Sequence, residues 1–429
     1  MKIQNVKGGY DFLPKEQKIR NYINDTLRKI FEEYGYKSIE TSILCYYDIL
    51  SDKYDDENDI LKEIYKLSDQ GDRKLGLRYD LTVPFAKFIA LNKNQLKLPF
   101  KRYEIAKVFR DGPVKVGRDR EFTQCDVDVV GIKGQLIEAE LMSLYVRAFE
   151  ELNIDIVIKY NSRNLMTGLI LESGVDEDLV QIVTTVIDKK DKLSESEYRD
   201  KLFEVGLNSN QVDNIIKYFN MDLETLISKF FNSKNDRIRL GIEEINNLSK
   251  YLKGINIDNI CEFSSSLARG QNYYTGNVFE VYDKQGRITS SIGAGGRYDN
   301  MIKEFINDGE EYPTVGISFG LSCIYELLKD SELFNDKSDT DIYIIPMGTD
   351  IECLKIANIF RKNGFKVDIE MQNKKIKKSL DYANKEKIPY VIIVGEDEIN
   401  KNLICIKDMF NNKNIEVSID EIFSFRIDS

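Results

Sequence analysis

KRYEIAKVFRDGPVKVGRDREFTQCDVD, residues 101–128, carries the strongest structural signal in the chain. Residues 101–110 and 121–130 have the composition of β-strands, and the intervening residues 111–119 contain a Gly-Pro pair typical of a loop. We therefore predict an antiparallel hairpin with a long connecting loop.

The second strand of this hairpin has an unusually polar face. Because successive side chains of a strand point to opposite sides, alternate positions share one face. These positions are Phe122, Gln124, Asp126 and Asp128. Arginines flank the loop at positions 110, 118 and 120. Guanidinium groups pair with carboxylate or phosphate, and side-chain oxygens accept from an ammonium group, so we predict a pocket for a zwitterion. The alternative is a solvated hairpin with ordinary surface charge.

The sequence of 429 residues contains no histidine. This composition excludes imidazole bases, Ser-His and Cys-His nucleophile pairs, and most zinc or iron sites. The six cysteines show no CxxC pairing, so neither a disulfide framework nor a protein metal site is expected. Chemistry must depend on carboxylates, arginines and backbone dipoles. That favours reactions in which the substrate brings its own nucleophile and the protein stabilises phosphate charge.

The net charge and the hydropathy of the chain indicate which partners and which cellular location to expect. The net charge of −11 by itself argues against a nucleic-acid partner, but residues 355–387 are locally rich in lysine. The N-terminus is polar, and the chain has no apolar run long enough to cross a bilayer. We expect a cytoplasmic protein without a membrane partner.

Hydrophobic periodicity predicts the remaining elements. The predicted helices are 17–34, 138–152, 298–305, 351–363 and 376–385, with an almost wholly helical stretch at 164–252. The predicted strands are 38–44, 154–160, 261–267, 273–282, 342–346, 366–370 and 390–395. A glycine-dense turn is predicted at 293–296. We expect four segments, namely a first catalytic part (1–163), a helical insertion (164–255), a second catalytic part (256–330) and a C-terminal domain (338–429).

The hairpin segment resembles motif 2 of the class II aminoacyl-tRNA synthetases in its histidyl form. Further segments resemble the same family, in family order: KGGYDFLP (7–14), LRYDLTVPFAKFIA (77–90), SLARGQNYYTGNVFEVY (266–282), AGGRYDNMI (294–302) and YANKEKIPYVIIVGEDE (382–398). The resemblance implies an α/β protein. It would have an α+β catalytic domain whose antiparallel sheet is flanked by helices, a helical insertion, and a small C-terminal, anticodon-binding-like α/β domain with a mostly parallel sheet.

The resemblance also implies an activity and a set of contacts. The expected enzyme activates histidine with ATP and Mg²⁺, transfers it to tRNA(His), and forms a homodimer. Arg110 and Arg269 would act at the α-phosphate as catalytic groups. The implied ATP contacts are Arg110, Arg118, Arg120, Phe122 and Arg269. The implied histidine contacts are Asp80, Thr82, Arg110, Gln124, Asp128, Arg269, Tyr273, Tyr274 and Tyr298.

Two places depart from the family pattern. VGISFGLSCIYELL (315–328) resembles motif 3, but Cys323 stands where the family has an ATP-binding arginine. Gln271 and Asn272 replace an apolar residue and an acid in the block that commonly reads RGLDYY. An uncompensated loss of a charged ATP contact would cost about 1.5–3 kcal/mol. The sequence therefore predicts membership of the family together with a weakened contact with ATP.

Two alternatives belong to other functional classes. One is a histidine-binding regulator like the regulatory subunit of ATP phosphoribosyltransferase, which is expected to lack the C-terminal domain that this chain has from about residue 341. The other is a non-catalytic RNA-binding protein that uses the lysine-rich helix 374–387. The absence of histidine suggests either synthesis freed from the histidine supply or simple compositional drift.

Overall fold

The computed structural model describes residues 2–51, 59–115, 117–269, 273–334 and 338–424. The chain divides into two compact units, residues 1–329 and 330–429. Each unit is built around its own β-sheet. Among the described residues, no helix combines the length and the apolar character needed to cross a membrane.

The first unit contains helices α1 to α13 and strands β1 to β11. The helices are α1 (Pro14–Glu33), α2 (Tyr47–Ser51), α3 (Asp59–Glu63), α4 (Thr82–Asn92), α5 (Leu136–Glu151), α6 (Arg163–Glu172), α7 (Val180–Ile187), α8 (Glu195–Glu204), α9 (Ser209–Phe219), α10 (Leu223–Phe230), α11 (Asp236–Gly254), α12 (Asp299–Ile306) and α13 (Leu321–Leu328). The strands are β1 (Lys37–Ser38), β2 (Leu44–Tyr46), β3 (Lys66–Ser68), β4 (Lys74–Leu77), β5 (Phe100–Phe109), β6 (Glu121–Val130), β7 (Ile156–Ser162), β8 (Cys261–Phe263), β9 (Asn277–Asp283), β10 (Gly293–Arg297) and β11 (Thr314–Gly320).

Within the described residues, eight of these strands form one sheet in the order β1-β5-β6-β11-β10-β9-β7-β8. The six central strands are antiparallel, and only the edge strands β1 and β8 pair in parallel. Helices α1 and α5 pack against this sheet, as the predicted antiparallel sheet flanked by helices requires. The apolar positions of α1, including Ile23, Leu27 and Ile30, are completely buried.

The hairpin predicted from residues 101–128 is confirmed. Strands β5 and β6 pair along ten residues, with Arg102 opposite Asp128 and Glu104 opposite Asp126. Strand β11 pairs with the other edge of β6 and places Gly316 opposite Asp128. The polar face of β6 therefore lies in the middle of the sheet.

The glycine-dense turn predicted at 293–296 is wrong, because these residues form strand β10. The glycines are needed for close approach. A Cβ on Gly296 would lie 2.8 Å from the Tyr274 ring, and a Cβ on Gly293 would lie 2.7 Å from the Tyr145 ring. Turn composition was misleading because packing on both faces of the strand excludes side chains.

Other boundaries also differ from the predictions. The predicted strand 38–44 is divided between β1 and β2, which belong to different sheets. The predicted strands 261–267 and 273–282 are shorter, since β8 ends at Phe263 and β9 begins at Asn277. These shortened strands leave irregular segments beside the sheet, and those segments carry Arg269, Tyr273 and Tyr274.

The predicted helical stretch is confirmed as helices α6 to α11, which lie between strands β7 and β8. Helices α6 and α11 cross closely at two glycines. A Cβ on Gly168 would lie 2.6 Å from the Ile238 side chain, and one on Gly241 would overlap the backbone of Leu165. The absence of side chains at these two positions lets α6 and α11 pack closely.

The second unit contains strands and helices in alternation before a final hairpin. They are β12 (Ile342–Pro346), α14 (Asp350–Lys362), β13 (Val367–Ile369), α15 (Ile376–Lys385), β14 (Tyr390–Val394), α16 (Glu396–Lys401), β15 (Leu403–Asp408) and β16 (Lys413–Ser418). Strands β13, β12 and β14 are parallel, as predicted, whereas β15 and β16 add antiparallel pairs. The sheet is therefore mixed, because short connections return the chain after β14.

We predict that Gly316→Ala lowers the free energy of unfolding of the first unit by about 1–3 kcal/mol. A Cβ at this position would overlap Asp128 Oδ1, so the carboxylate would have to move. Urea unfolding monitored by circular dichroism measures the change. Gly254→Ala is the matched control, because no atom lies within 4 Å of its added Cβ. Equal unfolding midpoints for both variants would contradict the prediction.

Candidate functional site

A cavity of about 240 Å³ opens on the polar face of the large sheet. Its floor is formed by small residues of β10 and β11, among them Ala294, Gly316 and Ser318. Because the floor has almost no side chains, the space above it is open to a ligand. The walls come from strand β6 and from the segments next to α4, β8 and α12.

Most of the predicted site residues line this one cavity. They are Asp80, Thr82, Arg110, Phe122, Gln124, Asp128, Arg269, Tyr273, Tyr274 and Tyr298. Asp126 lines the cavity as well, so the predicted shared face of β6 is confirmed. Asp126 and Asp128 are each only 3% exposed, which contradicts the alternative of a solvated hairpin. The ligand contacts assigned to these residues stay predictions.

Two arginines from distant segments reach the cavity. Arg110 follows β5, and its Nε donates to the Tyr79 carbonyl oxygen at 2.9 Å while its guanidinium lies 5.1 Å from the centre of the Phe122 ring. Arg269 follows β8, and its Nη1 donates to Glu280 Oε1 of strand β9 at 2.7 Å. These anchors fix both side chains, so two positive charges face one space.

The acidic residues of the cavity rest on a completely buried arginine. Arg102 Nη2 lies 2.6 Å from Asp128 Oδ2, and its guanidinium lies 4.3 Å from the centre of the Phe85 ring. The Tyr298 hydroxyl donates to Asp128 Oδ1. Both oxygens of Asp128 therefore have a positioned neighbour.

Asp80 is held differently. It precedes α4, and its Oδ1 accepts from the backbone N–H of Val83 at 3.1 Å. Burial raises the pKa of Asp80 to about 6, while the backbone hydrogen bond and Arg110 act in the opposite direction. Burial also raises the pKa of Asp126 and of Asp128, and Arg102 opposes both shifts. A cation that enters the cavity would therefore favour the ionised form of these carboxyl groups.

Several buried acceptors on the cavity have no donor within the described part of the chain. These atoms are Asp80 Oδ2, Gln124 Oε1, Asp126 Oδ1 and Asp128 Oδ2, the last of which forms an ion pair with Arg102 but no hydrogen bond among the described residues. Buried polar atoms are normally hydrogen-bonded, so unpartnered acceptors on a cavity wall indicate a ligand with N–H groups. Because arginines and unpartnered acceptors line the same cavity, it is suited to a zwitterion that is joined to or lies beside a phosphate.

Arg118 and Arg120, both predicted to contact ATP, do not line the cavity. Arg118 Nη2 lies 3.2 Å from Glu63 Oε1, and Arg120 Nη2 lies 3.2 Å from Asp111 Oδ1. Both arginines belong to the loop between β5 and β6, and Glu63 of α3 and Asp111 of the loop hold them outside the cavity. Reaching a triphosphate would require an exchange of these ion-pair partners.

The departures from the family pattern fall in different places. Gln271 and Asn272 lie outside the described residues. Cys323 is buried in the first turn of α13, where its Sγ lies 3.6 Å from the Gly117 carbonyl oxygen of the β5–β6 loop. The sulfur therefore packs against the loop backbone and does not line the cavity.

Two further residues support the site without having been predicted from the sequence. Glu280 anchors Arg269, and Arg102 supports Asp128. Strand alternation could have identified Arg102, because it shares a face of β5 with Glu104 inside a recognised hairpin. Glu280 gave no comparable signal, because its partner Arg269 lies outside the helices and strands.

No group of three or more cysteine, aspartate or glutamate side chains in the described residues could hold a metal ion. Mg²⁺ needs no dedicated protein cage, because it is commonly held by substrate phosphates and water with few carboxylates. The cavity residues therefore fit an ion that arrives with a nucleotide.

Comparisons with known proteins agree with this geometry. A family model described as histidyl-tRNA synthetase matches residues 8–324, and one described as an anticodon binding domain matches residues 341–427. Histidine–tRNA ligase 1 of Bacillus cereus is 45% identical over 424 residues, which cover 98% of this chain and 99% of that protein. Histidine–tRNA ligase 2 of Shouchella clausii is 42% identical over 408 residues, covering 95% and 96%.

A solved structure shows the same fold. The crystal structure of histidyl-tRNA synthetase from a Nostoc species matches with a TM-score of 0.84 and 28% identity, covering 98% of this chain and 99% of that one. The family model spans most of the chain, and the relatives align over nearly its full length. The chain therefore belongs to the histidyl-tRNA synthetase family.

Proposed function

We propose that this protein is a histidine–tRNA ligase that activates histidine with ATP and transfers the histidyl group to tRNA(His). The observation that carries the proposal is the presence of Arg110 and Arg269 on one cavity beside three buried carboxylates. The names of the matching relatives support the same activity and do not favour a regulatory protein. We also propose a homodimer in the cytoplasm, from the family resemblance.

The first step needs positioning more than proton transfer. The carboxylate of histidine is ionised at neutral pH, so it can attack the α-phosphorus of ATP without a protein base. The bond to pyrophosphate breaks as the acyl-phosphate bond forms. Arg110 and Arg269 stabilise the negative charge on the α-phosphoryl oxygens. Their hydrogen bonds to the Tyr79 carbonyl oxygen and to Glu280 hold the two guanidinium groups in position before the substrates bind. Mg²⁺, when bound with ATP, would neutralise further phosphate charge.

The amino-acid end of the cavity supplies selectivity. Asp80, Gln124 and Asp128 accept from the α-ammonium group and leave the carboxylate directed towards the arginines. Tyr274 and Tyr298 offer hydroxyl groups to the imidazole ring, which carries both a donor and an acceptor when it is neutral. A side chain without these groups would leave buried polar atoms unpaired, and such mismatches give large discrimination.

The division of the chain into four segments stays part of this proposal. The helical insertion, residues 164–255, would meet the acceptor arm of the tRNA. The C-terminal segment, residues 338–429, would bind the anticodon, in keeping with the anticodon-binding model that matches it. The surface charge of lysine-rich helix α15 would assist this contact.

ATP–pyrophosphate exchange tests the activity directly. We expect exchange that depends on histidine and stays at background with each of the other amino acids. Histidine binding without exchange would contradict the proposal and favour a regulatory protein instead.

Arg269→Ala is expected to lower kcat for exchange by about 10²–10³-fold, because one of the two guanidinium groups at the α-phosphate is lost. Arg269→Lys should recover part of the rate, since it keeps the charge but not the planar fork. Arg239→Ala, on the exposed surface of α11, is the matched control. An Arg269→Ala enzyme as fast as this control would remove Arg269 from the mechanism.

Cys323→Ala is expected to keep the exchange rate within about twofold, because small changes away from a reacting centre are usually tolerated. Cys323→Arg is expected to lower kcat/KM for ATP by about tenfold or more, since a larger group must displace the loop at Gly117. The loop has little room, because even a Cβ on Gly117 would lie 2.7 Å from the sulfur. A higher kcat/KM in Cys323→Arg would show that the family arginine is simply missing here.

A further inference from the structure

We propose that Asp126 is a substrate-binding residue that accepts a hydrogen bond from an N–H group of the bound amino acid. The inference rests on the proposed function, because it concerns the ligand of the same cavity. None of the roles implied by the family resemblance uses this residue. Its geometry nevertheless places it among the proposed ligand contacts.

Asp126 lies on β6 between Gln124 and Asp128, and all three side chains point to the cavity. Its carboxyl group is 3% exposed, yet Oδ1 has no hydrogen-bond partner in the described part of the chain. A buried carboxylate without a donor costs free energy in the folded protein. Its position on a cavity wall makes a ligand the natural donor.

The titratable and charged neighbours of Asp126 come from several elements around it, and most of them are acidic or neutral. They are Arg102 and Glu104 on β5, Asp128 on β6, Tyr145 on α5, Asp80 before α4 and Tyr298 before α12. Arg102 is the nearest cation, but it pairs with Asp128 at 2.6 Å and lies 3.7 Å from Glu104. Among the described residues, no cation forms an ion pair with Asp126. The Ser318 hydroxyl of β11 is its one stabilising side-chain partner besides the field of Arg102.

This environment makes ligand binding depend on pH. Burial is the main cause that raises the pKa of Asp126, and Asp128 and Asp80 raise it further, so the free protein retains the proton above the usual range for aspartate. A cationic N–H group favours the ionised carboxylate. Binding therefore releases a proton to solvent, and affinity rises with pH until the raised pKa is passed.

The same shift has the opposite sign for stability. Because the folded protein holds this proton more tightly than the unfolded chain, stability falls as pH rises from the ordinary aspartate pKa towards the raised value. Asp126→Asn removes that penalty. A residue needed only for folding would behave in the reverse way, since its replacement would lower the melting temperature.

The test is isothermal titration of histidine into the full-length protein at several values between about pH 5.5 and 8.5, in buffers of different ionisation enthalpy. For the wild type we expect proton release beyond that of histidine itself. For Asp126→Asn we expect about a tenfold or greater loss of affinity, less proton release than in the wild type because only Asp80 and Asp128 remain to ionise, and a melting temperature without ligand that is no lower. Asp25→Asn, on the exposed side of α1, is the matched control.

Two analogues identify the donor. Imidazolepropionate lacks the α-ammonium group, and triazolylalanine has a ring that stays neutral at these pH values. If the effect of Asp126→Asn disappears with imidazolepropionate, the ammonium is the donor. If it disappears with triazolylalanine, the protonated ring is the donor. Either outcome supports a contact between ligand and carboxylate.

Unchanged affinity and unchanged proton release in Asp126→Asn would overturn the inference. So would a lower melting temperature together with an equal loss of affinity for histidine, both analogues and ATP, because that pattern describes a folding role. The wild-type proton release needs no variant, so its absence counts against the inference even if Asp126→Asn does not fold. Wild-type protein that binds histidine but fails in pyrophosphate exchange would refute the proposed function while leaving this contact intact.

Discussion

The ion pair between Arg102 and Asp128 is the interaction on which the arrangement of the first unit depends. Arg102 is completely buried, and Asp128 is its nearest counter-charge at 2.6 Å. Removing one member of such a pair would strand an uncompensated charge in the interior, which is far more costly than the pair is stabilising. The pair requires the β5–β6 register to be kept, because a slip of one residue would turn Asp128 away from the cavity.

The register of the sheet extends this constraint across the floor of the cavity. Across the paired strands, Asp128 lies opposite Gly316, and Gly316 lies opposite Gly296. The row of cross-strand neighbours that begins with Arg102 and Asp128 therefore continues with two glycines. In the next row Asp126 faces Ser318, Ser318 faces Ala294, and Ala294 faces Glu280. The first row reaches the apolar Val278 and the second reaches Glu280, and small residues lie between these side chains and the carboxylates of β6. The cavity is a consequence of residue size along the sheet, while its arginines come from segments that follow β5 and β8.

Much of this arrangement was predictable from the sequence, and the failures have physical causes. The hairpin was recognisable because its pattern is local and its polar face alternates with period two. The glycines of β10 were mistaken for a turn because their role depends on Tyr145 and Tyr274, which are distant in sequence. Arg269 was placed by resemblance, but its anchor Glu280 was not, since Arg269 lies outside the helices and strands and periodicity gives no direction for its side chain. Sequence patterns describe faces and periods well, whereas contacts between irregular segments require the folded backbone.

The family resemblance implies an ATP-binding arginine at the position of Cys323, and the surroundings of this cysteine bear on how a nucleotide would be held. Its sulfur packs against Gly117, so the space at the start of α13 is filled by loop backbone and offers no cation to a nucleotide. The remaining arginines of the loop, Arg118 and Arg120, are each held by an acid outside the cavity. These exposed pairs are individually weak, because solvent screens them. A triphosphate that entered beside Arg110 and Arg269 would offer the loop arginines a stronger partner than Glu63 or Asp111, since phosphate oxygens carry more charge and accept forked contacts. We therefore propose that the loop arginines would supply the charge that the resemblance implies for α13, through a movement of the loop when the nucleotide binds.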